Sequence, residues 1–359
     1  MKYVRSIASI LLLACLAGGC SVREKANAKQ TVESRELEAE CCKISGDRQG
    51  MLTIISDDGL IGTATALDEL CGARGIRCSI AGAVCFVDPY KAEWDYMLSH
   101  GNIDLVNHSY SHIAMAPDSD IAQDKEALRH EIEDSKSYLE GTFGQPRITF
   151  VCPENKMCDN GYEILEESGY WAVRKGTRGY NSTDPKDGQE PGDWFNLMCF
   201  GIMDDELDTA KRNEWIDTAL LNGDWVIEMW HCVYDKDEGR YQTINYKDAI
   251  PHLDYVKQRS DDGSLWVTTF EEATRYIRER QNCTVTATTD NTSICVNLTL
   301  TNEKMDPAVF NTPVTVRIML TDDLVSSLPE GTQVMQNAYG SYILADVVPG
   351  VETVIPLNA

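Results

Sequence analysis

Through the first two thirds of the chain, short apolar, β-branched runs alternate with amphipathic stretches. Met51-Leu52-Thr53-Ile54-Ile55-Ser56 reads as a strand, and Thr63 to Leu70 as the helix that follows it. Cys78 to Phe86 is a second apolar strand, Tyr90 to Leu98 a helix, and Ile103-Asp104-Leu105-Val106-Asn107 a third strand. From Ile121 to Glu140, the residues Ile121, Leu128, Ile132, Ser135 and Leu139 share one helical face. Charged residues and His130 take the solvated side, and Gly141 reads as the stop. Ile148 to Cys152 is a strand closed by the turn Pro153-Glu154-Asn155; a helix ends over Ile164 to Ser168, and Tyr170 to Arg174 is the next strand. Trp215, Ile216, Ala219 and Leu220 mark a helix stopped by Gly223. The strand Trp225 to Trp230 follows, and Thr269-Phe270-Glu271-Glu272 forms a capping box for a helix running to Arg280. This alternation predicts an α/β fold with parallel strands and crossover helices.

Beyond Gln281 the period changes to two: Val285 and Ala287, then Ile294, Val296, Leu298 and Leu300, then Val314, Val316 and Ile318. That pattern predicts a small all-β, sandwich-like domain over 281–359, either a sugar-binding unit or a passive packing module. Cys283 shares parity with apolar Val285 and Cys295 with polar Asn297, which disfavours a hairpin disulfide between them. Residues 21–46 are polar without apolar periodicity and read as a tether, leaving 47–280 for the α/β domain.

Composition changes this picture mainly at the amino terminus. Lys2 and Arg5 precede an apolar run from Ile7 to Ala17 that is too short to span a bilayer, so residues 1–20 read as an export signal. Leu16-Ala17-Gly18-Gly19-Cys20 resembles a bacterial lipoprotein cleavage box with Cys20 as the lipidated residue; Cys15 offers a competing match, and a plain secretory signal is the other reading. Export permits disulfides, and Cys71 with Cys78 and Cys152 with Cys158 are the candidate pairs. Among 359 residues, 57 acidic against 32 basic side chains give a formal charge of -25, which argues against nucleic acid and anionic lipid as partners.

The candidate chemistry sits at predicted strand ends. His108-Ser109-Tyr110-Ser111-His112 brings together two of the six histidines, and Ser56-Asp57-Asp58-Gly59 supplies carboxylates after another strand. Two imidazoles and one carboxylate are the donor set of a catalytic divalent metal that keeps an open position. Either motif alone is ordinary turn or spacing chemistry. Together, at the carboxyl ends of parallel strands, they fall where α/β folds assemble active sites.

Taken in order, Ser56-Asp57-Asp58-Gly59, His108-Ser109-Tyr110-Ser111-His112, Phe150-Val151-Cys152-Pro153-Glu154-Asn155 and Trp230-His231 resemble the polysaccharide deacetylase family with the NodB homology domain, over about residues 48–280. The resemblance implies a distorted (β/α) barrel and a hydrolase that removes N- or O-linked acetyl groups from a polysaccharide or oligosaccharide with a divalent metal, usually zinc. Position by position it makes Asp58, His108 and His112 the metal ligands, Asp57 the general base for a metal-bound water, and His231 the general acid. A backbone N–H after Pro153 is the expected oxyanion donor. The partners expected are an acetylated glycan and, through a lipid anchor only, a membrane; oligomeric state is left open.

The third motif departs from the family. Val151 stands where an arginine that orients the base is usual, and Glu154 and Asn155 stand where an aromatic residue and glycine are usual. Arg174 reaches the same place from a later strand, with Asp193-Trp194 as its acidic-aromatic partner, or else is an ordinary salt-bridged residue. These departures support an alternative reading, a catalytically weak glycan-binding surface lipoprotein that keeps the fold.

Overall fold

The computed structural model describes residues 34–183, 192–201, 208–235, 241–290 and 292–358; the leader with Cys20 lies outside them, as does most of the expected tether. Two short strands come first, β1 (Arg35–Leu37) and β2 (Ala39–Cys41). They correct the reading of 21–46 as a tether, because from residue 35 onward this segment belongs to the folded body. Their partners all lie beyond residue 280.

Next, β3 (Gly50–Ser56), β4 (Cys78–Gly82), β5 (Ile103–Asn107), β6 (Thr149–Val151) and β7 (Ala172–Arg178) run side by side and parallel. A two-residue strand, β8 (Asn181–Ser182), precedes β9 (Leu197–Gly201) and β10 (Asp224–Trp230). β10 pairs with β3 from Trp225↔Met51 to Trp230↔Ser56, and the seven strands β3-β4-β5-β6-β7-β9-β10 close into a (β/α) barrel. The wall is irregular: β5 and β6 share one register pair, Asn107↔Phe150, and β7 slips against β9 between Arg174 and Arg178. β11 (Cys232–Tyr234) and β12 (Thr243–Asn245) pair beside the barrel. β13 (Leu265–Val267) takes the first half of the β3 edge that β4 takes at its end.

β3 shows why its sequence is apolar almost throughout. Leu52 and Ile54 pack outward against the helices Ile61–Gly72, Thr209–Asn222 and Tyr246–Asp261, while Met51 and Ile55 face the barrel interior. Both faces are buried, so no polar alternation survives. The expected strand 78–86 stops at Gly82, where the chain turns into the helical segment Val84–Val87 and the Ala83 N–H donates to the Asp58 carbonyl at 3.3 Å. A Cβ on Gly59 would lie 2.7 Å from the Gly82 Cα, so this approach needs glycine. The helix expected over 121–140 starts at Lys125, capped by the Asp124 side chain, and widens into a π turn at His130–Asp134. It ends at Gly144 (φ 69°) rather than Gly141.

The last strands are β14 (Cys283–Thr289), β15 (Ser293–Leu300), β16 (Val314–Leu320), β17 (Met335–Asn337), β18 (Gly340–Val347) and β19 (Thr353–Pro356). They form two antiparallel four-stranded sheets, β1-β14-β15-β19 and β17-β18-β16-β2, with Arg35 opposite Thr289 and Cys41 opposite Val316. Cys41 and Cys283 sit with their Sγ atoms 3.7 Å apart. In the β14–β15 hairpin Cys283 faces Leu300 and Cys295 faces Thr288, so register keeps those two thiols apart. Among the described residues no helix is long and apolar enough to cross a membrane.

The helix Phe270–Gln281 joins the two parts. Its residues Phe270, Ala273, Tyr276 and Ile277 link the barrel interior at Met51 and Trp225 to the sandwich interior at Val296 and Val314 in one apolar cluster. The Tyr276 hydroxyl donates to the Cys42 carbonyl at 2.9 Å. Near the helix end, Glu279 is fully buried; one oxygen accepts from the Thr312 N–H at 2.9 Å and the other has no partner among the described residues. Burial pushes its carboxyl up to about 8, against the Thr312 N–H and the charge of Arg275; the Cys283 thiol also lies nearby. A folded-state pKa above the unfolded one gives stability that is full below the unfolded carboxylate pKa and lost as pH rises through about 8. Glu279→Gln is therefore expected to raise Tm by on the order of a few °C at pH 9 and to change little at pH 4, as read by thermal unfolding at both pH values.

Candidate active site

Loops at the carboxyl ends of the barrel strands surround a cavity of about 610 Å³ that holds Asp57, Asp58, His108, His112 and His231. The ends of β3, β5 and β10 deliver them. Six of the seven non-glycine residues in the left-handed φ region, among the described residues, belong to these loops: Asp58, Ser109, His112, Glu154, Asn155 and Gln242. Such backbone costs about 1–3 kcal/mol per residue and persists only where the surroundings fix it, and here it aims the side chains of Asp58 and His112 inward.

Asp58, His108 and His112 each bring one ligand atom to within 4.8 Å of the others. Asp58 Oδ1 lies 3.0 Å from His112 Nε2 and 3.7 Å from His108 Nε2. His108 is buried and its Nδ1 donates to the Val151 carbonyl at 2.8 Å, which fixes the tautomer and leaves Nε2 as a lone-pair donor. Burial works against an ionised Asp58, but hydrogen bonds and charge from both histidines overcome it and hold the carboxyl well below the usual range. Asp58 in turn raises His112, which burial opposes. An anionic oxygen and two imidazole nitrogens converging on a cavity wall fit a divalent metal with open positions.

Asp57 is 4% exposed, and both of its oxygens accept from Arg174 Nη2 at 2.6 Å. Arg174, fully buried, also donates from Nη1 to Asn155 Oδ1 at 3.0 Å and rests that nitrogen on Met229 Sδ at 2.8 Å. His231 is lowered by burial, against the upward pull of the carboxylates of Asp57 and Asp58. Its backbone carbonyl accepts from Ser56 Oγ at 2.8 Å, its Nδ1 has no partner among the described residues, and Tyr241 sits edge-on at 5.1 Å.

One expectation needs correction. Asp193 and Trp194 do not partner Arg174: the Asp193 side chain accepts from the Phe195 N–H, while Trp194 lies under Arg278 at 3.8 Å, at the start of β9 and the far end of the barrel. In the turn after Pro153, two of the three backbone N–H groups, those beyond Glu154, are already used. The Asn155 and Lys156 N–H groups close it onto the carbonyls of Cys152 and Pro153, and the Asn155 side chain serves Arg174. The segment from Arg178 to Asp193 begins as the end of β7, contributes β8, and is not described over 184–191.

Glu131 is the residue the sequence reading passed over. Its carboxylate accepts from the Tyr110 and Ser111 N–H groups at 3.1 and 2.9 Å and from Ser111 Oγ at 2.5 Å, so it grips the loop between the two histidines. A signal existed, since Glu131 lies three residues after Leu128 and four before Ser135, on the apolar face. Groups that hold ligand loops are worth roughly 10- to 100-fold in metal affinity. Glu131→Ala is expected to weaken divalent-metal binding by about that factor, and Glu131→Gln to recover part of it, in a competition titration with a chromophoric chelator.

A second cavity, of about 590 Å³, lies at the opposite end of the barrel. Its arginines are already paired, Arg77 with Glu272, Arg147 with Asp104 and Arg275 with Glu271.

No family model matches the chain, and no curated protein matches it. Similarity to solved structures is found. A Streptococcus pyogenes deacetylase in complex with acetate has 14% identity over 40% of this chain and 62% of its own, with a TM-score of 0.34; the chain thus spans less than two thirds of that protein. A CE4-family pseudoenzyme from Bacillus anthracis has 11% identity over 63% of this chain and 65% of its own, with a TM-score of 0.42. A peptidoglycan N-acetylglucosamine deacetylase has 10% identity over 62% of this chain and 87% of its own, with a TM-score of 0.44. The solved structures to which this chain is similar thus include CE4-type deacetylases, at identities that concern the fold alone.

Proposed function

We propose that the protein is a metal-dependent hydrolase that removes N- or O-linked acetyl groups from a glycan. One observation carries the reading: a carboxylate clamped by a buried arginine, Asp57 with Arg174, shares a cavity with the Asp58–His108–His112 cluster and with His231. A divalent ion, most simply zinc, held by that cluster would supply Lewis acidity, lowering the pKa of a water and polarising the acetyl carbonyl.

The chain's own residues supply the proton transfers. Asp57, fixed by two contacts to one guanidinium nitrogen, takes a proton from the attacking water. His231 gives a proton to the departing nitrogen or oxygen of the sugar. Each transfer is worth roughly 10²- to 10⁴-fold. Val151 in place of the usual arginine favoured the glycan-binding alternative, but Arg174 brings a guanidinium to Asp57 from β7, and this supports catalysis. We place the protein outside the cytoplasm, anchored through Cys20, on the strength of its leader.

Acetate release from a panel of N- and O-acetylated glycans, with chelation, zinc add-back and His231→Ala in parallel, tests the reading. Release that needs metal and falls at least 10²-fold in the variant is expected. Bound metal without release from any acetylated glycan would instead make the chain a binding protein.

A further inference from the structure

Beside the catalytic cavity lies a depression of about 440 Å³ with aromatic walls, lined by Phe86, Tyr90 and Tyr234 together with Ile61, Pro89 and Cys85. Phe86 and Tyr90 are 37% and 43% exposed, and Tyr234 is half-buried, so all three rings present surface to the depression. The Phe86 ring centroid is 5.9 Å from that of His112, so the depression abuts the cluster at about the breadth of one sugar ring. Tyr234 follows His231 by three residues, on β11, so the depression reaches from beside His112 to the strand that follows His231. Its ring lies on Gly62, where a Cβ would come within 3.0 Å of Cε1 and 3.4 Å of the hydroxyl. The glycine thus lets the tyrosine lie flat against the helix Ile61–Gly72.

Among the described residues no carboxylate, amine or guanidinium lines this depression. A pyranose ring matches it: apolar C–H faces lie on aromatic rings, and equatorial hydroxyls reach phenol groups at the rim. We propose that the depression binds the sugar next to the acetylated one, so that the substrate is a glycan chain with an uncharged neighbouring residue and not an acetylated monosaccharide. This rests on the reading of the adjoining cavity as the deacetylation site.

The test has a catalytic arm and a binding arm. The first compares kcat/KM for an N-acetylated β-1,4-hexosamine tetramer and for the acetylated monosaccharide, in wild type, Tyr90→Ala and, as a remote control, Tyr339→Ala on the sandwich. The tetramer-to-monosaccharide ratio is expected to fall about 10-fold in Tyr90→Ala and to hold in the control. The second arm measures Kd for the hexosamine tetramer and for an acetylated β-1,4-xylose tetramer by titration into His231→Ala, with and without Tyr90→Ala, and expects the same weakening for one of them.

If no sugar is deacetylated by any form, the catalytic reading fails, and the binding arm alone decides the subsite. A ratio or a Kd that Tyr90→Ala leaves unchanged overturns the proposal. So does the absence of tetramer binding, or competition by an octyl-chain detergent in place of sugar.

Discussion

Arg174→Met is expected to destabilise the protein by about 3–5 kcal/mol and to remove hydrolysis, whereas Asp57→Asn added to it returns much of the stability and none of the activity. The asymmetry follows from burial. Asp57 and Arg174 are 4% and 0% exposed, and each is the other's main compensation. Removing one partner strands a charge in a dry wall; removing both leaves neutral groups, at a far smaller penalty. Asparagine keeps the shape of Asp57 but takes no proton from water, so kcat falls roughly 10²- to 10⁴-fold in any chain that carries it. A double-mutant cycle read by denaturant unfolding and by acetate release separates the two effects. Additive destabilisation would show that the pair is not coupled.

Asp58→Asn is expected to abolish the zinc-dependent rise in Tm and, at neutral pH, to lower the Tm of the metal-free protein as well, because it removes the anion that both histidines hold. Asp58 has φ 75°, a conformation asparagine tolerates, so the substitution removes the charge without straining the turn. For the wild type, zinc at 100 times its Kd adds about 2.7 kcal/mol of stability, which a chelator reverses. His112→Ala also loses the zinc-dependent rise, with added strain because alanine tolerates φ 59° poorly, and His130→Ala, half-exposed on the far helix face, behaves like the wild type. A zinc-dependent rise that survives in Asp58→Asn would take the ion away from this cluster.

What the sequence made legible was what local pattern can carry. Strands with both faces buried, such as β3 and β10, appear as apolar runs, and the residues at their ends are the residues in the cavity. Contacts set by distant partners stayed hidden. Arg35–Leu37 and Ala39–Cys41 are three residues long and half polar, and their pairing with Thr289 and Val316 leaves no mark on their own periodicity. Arg174 was within reach of the sequence, but the Asn155 side chain that holds it leaves no mark on any spacing. Asp193-Trp194 looked like a match because a dipeptide does not show which end of a strand it occupies. Glu131 shares the apolar face by ordinary spacing, but its partners, the Tyr110 and Ser111 N–H groups, lie in a loop some twenty residues earlier.

The positions of β1 and β2 change what kind of molecule this is. The sandwich owns both flanks of the barrel, since one edge strand of each sheet comes before Gly50 and the other strands come after Gln281. The chain enters and leaves the barrel through one doorway, marked by Cys41 and Cys283 with their sulfurs 3.7 Å apart. In topological terms the barrel is an insertion within a sandwich, so residues 281–359 cut out alone would lack an edge strand in both sheets and expose the unpaired strands beneath. A ribosome making this protein releases the whole barrel before either sheet can be completed.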